Sequence, residues 1–169
     1  MLMSEGTKDK LNDVLTKSFL LNMICDNCVY QIDYSVYPET AHIVHESYAH
    51  YWTQVADRWS DLMIQLNAKP IRGDLHAEYE DYGDNLEAIF ADIAMATEDY
   101  RKAVCELIEI ADLNDDHEVV IVGEDILKDI MSYRKQADIW ATEAKRYRDN
   151  YKGFDARIKT FTKLIPIID

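Results

Sequence analysis

The chain has few breakers: five glycines and three prolines among 169 residues. Turns are therefore few and the elements between them long. Cysteine is also scarce. Three residues, an odd number, do not make a disulfide framework. Cys25 and Cys28 form a lone C-x-x-C. A structural zinc needs about four ligands, and Cys105 offers no second pair. A redox C-x-x-C needs a βαβ setting that is absent here, so core packing is the reading for both thiols. Basic residues are outnumbered, 18 against 32 acidic ones, giving a formal charge of −14. Such a surface repels nucleic acid and anionic membrane and favours cations. The opening MLMSEGTKDK has no apolar run of the secretory kind. No stretch approaches the ~18 apolar residues of a membrane span. One soluble, cytoplasmic domain over residues 1–169 is expected, with no membrane partner, no repeat and no low-complexity segment.

What is present is helical periodicity. The stretch from Pro38 to Pro70 reads as one long helix, with Pro38 in its first turn and Pro70 just past its end. Apolar residues recur at Ala41, Val44, Tyr48, Trp52, Val55, Trp59, Leu62 and Leu66, in steps of three and four. His42, Glu46, His50, Asp57 and Asp61 fall on the opposite face. A solvated polar face explains that pattern by itself. The residue types also suit a metal, with imidazole and carboxylate at i, i+4 (His42, Glu46) and two carboxylates at i, i+4 (Asp57, Asp61). His42 and Asp57 lie about 22 Å apart along a helix, so one chain cannot join the two pairs. The same helix laid antiparallel across a twofold axis permits it, and an isologous contact then makes two equivalent sites. His45 and His50 are spare imidazoles, read as ordinary surface or interface residues.

A first helix is expected from Lys10 to about Asp33, capped by Thr7 or Asp9 and buried on more than one side. The linker IRGDLHAEYEDYGD carries the breakers Gly73 and Gly83, with room for a short helix between them. A third long helix spans Asp84 to about Asp112. The fourth runs from about His117 into the 140s, with Val120, Ile121, Ile126, Leu127, Ile130, Met131, Tyr133 and Trp140 as core candidates. Tyr151 to Asp169 reads as a short helical extension ended by Pro166. The class is all-α, a ferritin-type four-helix bundle over about 8–150 with one longer connection and a C-terminal extension over about 151–169.

These stretches resemble the Dps (DNA protection during starvation) family of the ferritin-like superfamily over roughly residues 10 to 145. The resemblance rests on LNDVLTKSFLLN in the first helix, AHIVHESY opening the second, ADRWSDLMIQLNAKP closing it, and ILKDIMSYRKQADIW in the fourth. It implies that His42, Glu46, Asp57 and Asp61 hold iron in a ferroxidase site across a twofold interface. It further implies a hollow dodecamer, hydrogen peroxide as the preferred oxidant of ferrous iron, and ferric mineral stored inside. Asp112, Asp115, Asp116 and Glu118 would line entry pores, though helix capping suits Asp115 and Asp116 equally. The chain departs from the family at Tyr30, where a second His is usual, at Ser60-Asp61-Leu62 in place of Ala-Glu-Arg, and at Asn67-Ala68 in place of Gly-Gly. The alternative is therefore a ferritin-like structural or interaction protein without a working metal centre. An iron pair inside one bundle is rejected, since only Glu39-Thr40-Ala41-His42 fits Glu-x-x-His, and Trp52, Val55, Met131 and Arg134 stand at the other positions. DNA binding is not expected. The one basic region, Lys145–Asp169, follows an acidic body and could contact a duplex only as a free arm.

Overall fold

A computed structural model describes residues 1–164. The elements are α1 (Glu5–Tyr34), α2 (Pro38–Val44), a π-helical segment (His45–Ala49), α3 (Tyr51–Gln65), α4 (Leu86–Leu113), α5 (His117–Arg146) and α6 (Tyr151–Arg157), followed by a 3-10 turn (Ile158–Phe161). The described residues contain no strand. Val44 and His50 keep right-handed helical backbone on either side of the π segment, so α2 and α3 form one rod. The expected single helix is thus interrupted at His45–Ala49 and stops at Gln65.

Contacts along the rods fix a helical bundle. Lys10, Ser18 and Cys28 of α1 meet Glu106, Tyr100 and Asp92 of α4, so these helices are antiparallel. Leu2 N–H donates to the Leu66 carbonyl at 2.8 Å and Asn22 to the Ala49 carbonyl at 2.8 Å, which sets α1 antiparallel to α3. On α5, Asp125 and Asp129 take Arg58 of α3, while Arg134 pairs with Glu98 of α4. It follows that α3 and α4 run parallel, and residues 66–85 must cross the length of the bundle.

That crossover lies along α1. Asn12 and Thr16 accept the N–H groups of Ile71 and Gly73, and Gln31 accepts from Tyr82 N–H and donates to the Glu80 carbonyl. Between Thr16 and Gln31 α1 rises roughly 22 Å. The nine or so residues from Gly73 to Tyr82 would cover only about 14 Å as helix, but up to about 30 Å extended. The short helix expected here does not form for that reason.

All eight apolar residues expected along the second rod are buried, as are Phe90, Ile93, Tyr100 and Leu107 of α4. Trp52, Trp59, Trp140 and Tyr48 fill the centre, with Tyr48 against Trp52, Tyr133 and Trp140. Three of the four polar ends are satisfied: Trp59 Nε1 donates to Tyr100 Oη at 3.0 Å, Trp140 Nε1 donates to Thr162 Oγ1 at 3.0 Å, and the Tyr48 hydroxyl bonds Thr97 Oγ1 at 2.5 Å, whereas Trp52 Nε1 is buried with no hydrogen-bond partner among the described residues. Ile121 and Met131, expected in the core, are instead 66% and 62% exposed on the solvent side of α5. The extension packs as expected through Phe154 and Ile158, with Phe154 against Phe90 and Phe161. The expected stop at Pro166 lies outside the described residues.

Helix ends use distant partners. Helix α1 starts earlier than expected, at Glu5, with Ser4 as its N-cap. Thr7 and Asp9 lie inside it. Asp116 occupies the N-cap of α5, yet its carboxylate accepts from Ser4 N–H, Ser4 Oγ and Thr7 Oγ1 at the start of α1. Asp155 likewise accepts from Thr40 N–H and Oγ1, both at 2.7 Å, in the first turn of α2. Both place a negative charge at a helix N-terminus, where it is favoured. At the C-termini of α1, α3 and α4, Val36, Asn67 and Asp115 take left-handed backbone with φ of 66°, 56° and 57°. Each allows the next N–H to reach the carbonyl five residues back, at Ile32, Met63 and Ala111.

Candidate functional site

The π segment organises the polar face of the second rod. His50 N–H donates to the His45 carbonyl at 3.3 Å, the i→i+5 bond of a π turn. Residues five apart on an α-helix point about 140° apart. The wider turn brings these two together: the His45 and His50 Nε2 atoms are 3.0 Å apart and the ring centres 4.1 Å. Glu46 Oε1 lies 3.3 Å from His45 Nδ1, and Oε2 lies 3.8 Å from His50 Nδ1. The three side chains are 38%, 29% and 29% exposed, open to an ion from solvent.

Helix α1 backs this cluster. Asn22 fastens the turn by donating to the Ala49 carbonyl. One helical turn further, Asp26 has a buried Oδ1 with no hydrogen-bond partner. Burial pushes the Asp26 carboxyl above the usual carboxylate range, and the charges of His45 and His50 pull it back.

Three of the four residues expected to bind iron lie apart from this cluster, on the outer face of the second rod. His42, Asp57 and Asp61 are exposed on α2 and α3, and none makes a side-chain hydrogen bond or ion pair among the described residues. One chain does not bring His42 to Asp57. Glu46 faces His45 and His50. Among the described residues, no group of three or more His, Cys, Asp or Glu side chains converges in a metal-holding arrangement. Tyr30 is 62% exposed on α1. At the α4–α5 turn Asp112, Asp115 and Glu118 are exposed, whereas Asp116 is 7% exposed and turned inward to α1, so it is not a surface carboxylate.

Cys25 and Cys28 are buried free thiols. Burial pushes Cys25 well above its ordinary value and Cys28 up to about 12, so both stay protonated at neutral pH. Their core role is as expected. Reading the sequence missed Asp26 and left His45 and His50 as surface residues. The available signal was three histidines within little more than two helical turns, at 42, 45 and 50.

Comparison with known protein families finds no match, and comparison with curated proteins finds none either.

Proposed function

We propose that this chain is a ferritin-like protein of the Dps kind that takes ferrous iron as substrate, oxidises it with peroxide and stores the ferric product in a shell of identical subunits. The observation that carries this reading is the connectivity. Parallel α3 and α4 are joined by a crossover along the bundle, the plan of ferritin-type bundles. The outer face of the second rod adds exposed, uncommitted ligand types at His42, Asp57 and Asp61. Imidazole and carboxylate suit iron. An antiparallel second copy would set His42 of one chain opposite Asp57 and Asp61 of the other, with two equivalent sites per twofold. Glu46 would join them by leaving the imidazoles it now faces. The net charge of −14 favours cation uptake.

A second reading, a ferritin-like structural or interaction protein with no working iron centre, is favoured by the engagement of Glu46 with His45 and His50 and by Tyr30. Anaerobic mixing with ferrous iron and then peroxide separates the two. Oxidation faster than in protein-free buffer, and lost in the His42→Ala, Asp57→Ala variant, supports the iron reading. Oxidation at the buffer rate, together with a clean monomer in light scattering, removes the shared site and the dodecamer alike.

A further inference from the structure

The π turn has a second use that does not depend on subunit assembly. We infer that His45 and His50 form a chelating site for one divalent first-row transition ion within each chain, with Glu46 and Asp26 as its supporting carboxylates. Metal–nitrogen bonds to imidazole are ~2.0–2.1 Å long. Two Nε2 atoms 3.0 Å apart then subtend roughly 90–100° at a shared ion, the angle of neighbouring ligands in square or octahedral coordination. The separation is already that of a chelate, and the two imidazoles need only lose the proton between them.

The surrounding groups fit the same purpose. Glu46 lies beside both Nδ1 atoms, so its negative charge favours the tautomer with hydrogen on Nδ1 and a bare lone pair on Nε2. A carboxylate behind a ligating imidazole orients it and raises its basicity. Asp26 supplies a second negative charge from α1, with an oxygen that no protein donor satisfies. The π turn that packing imposes here is what sets the two imidazoles side by side, and such insertions recur at functional sites. Two imidazoles with carboxylates behind them suit zinc, nickel or copper, softer ions than an all-oxygen site would select. The remaining positions face solvent and would be filled by water.

Metal-stripped full-length protein is titrated with zinc by calorimetry at pH 7.5, and with cupric ion by electron paramagnetic resonance. One ion per chain and a two-nitrogen cupric signal are expected. His45→Ala and His50→Ala should each abolish that uptake, while circular dichroism stays helical. Glu46→Gln should weaken it about 10–100-fold, as for other groups behind a metal ligand. The His42→Ala, Asp57→Ala variant should bind zinc like the parent, which separates this site from the shared iron site. Zinc binding unchanged in folded His45→Gln, His50→Gln protein, or no uptake by the parent at pH 7.5, overturns the inference.

Discussion

Gly123 of α5 lies so close to α4 that a Cβ there would stand 2.8 Å from Ile108 Cγ1, with the Trp59 ring 4.0 Å away behind it. Alanine has the better helix propensity by about 1 kcal/mol. Overpacking a tight core contact costs about 1–3 kcal/mol. Gly123→Ala is therefore expected to destabilise the protein by about 1 kcal/mol in urea unfolding. Ile108→Ala, which removes the Cγ1 atom that the new Cβ would meet, should cost less in the Gly123→Ala background than in the parent. A more stable Gly123→Ala protein would show that the helices separate freely at this crossing.

Val36 is a β-branched residue at φ 66°, 75% exposed. The left-handed region costs an ordinary L-residue roughly 1–2 kcal/mol, and asparagine visits it more readily. No buried surface is lost on substitution. Val36→Asn should gain about 1 kcal/mol, or roughly 2–4 °C in Tm for a domain of this size. An unchanged or lower melting temperature would count against strain at this turn.

Asp116 should make the protein acid-sensitive. Burial disfavours its charge, but the Thr7 and Ser4 donors outweigh that and hold the carboxyl below its ordinary value. A folded-state value below the unfolded one adds stability above the unfolded pKa of about 4, lost as pH falls through the folded value. Asp116→Asn should thus lower Tm clearly at pH 7 and much less near pH 2. Equal losses at both values would mean that charge plays no part.

Thiol reactivity should separate the cysteines. Cys105 is partly exposed, whereas Cys25 and Cys28 are buried and protonated. Native protein should release about one equivalent of chromophore quickly with a disulfide reagent, and the rest only on unfolding. Fast loss of that equivalent in Cys105→Ser identifies it; fast reaction of all three thiols would show that α1 opens readily.

DNA should bind poorly at physiological salt. The basic tail is held down rather than free: Arg148 meets Glu87 at 2.9 Å, Lys159 meets Glu39 at 3.5 Å, and Phe154 and Ile158 are buried. A gel-shift titration near 0.15 M salt is expected to show no retardation of duplex DNA. Retardation that disappears on truncation after Asn150 would mean that the tail lifts from the bundle.

The helices and their buried stripes were legible because burial repeats every three or four residues. Leu113-Asn114-Asp115-Asp116 was equally plain as a turn. The π turn was not, since His45-Glu46-Ser47-Tyr48-Ala49 holds no breaker. Its choice is made by packing, with Ser47, Tyr48 and Ala49 all buried together and Asn22 holding the Ala49 carbonyl. The crossover takes its shape from a distance along α1 that composition does not contain. Of the candidate site, the exposed positions of His42, Asp57 and Asp61 could be read from one helix. The surroundings of Glu46 could not, because Asp26 reaches them from another helix.

The left-handed helix ends also bear on the chain before it folds. Glycine is the usual occupant of such a position, and it gives an unfolded chain its widest freedom. Asn67 and Asp115 hold the same backbone with fewer alternatives to give up. Each such replacement, where the native backbone accepts it, narrows the denatured ensemble by the equivalent of about 0.4–1 kcal/mol. With five glycines in 169 residues, part of this protein's stability resides in how little its unfolded form can wander.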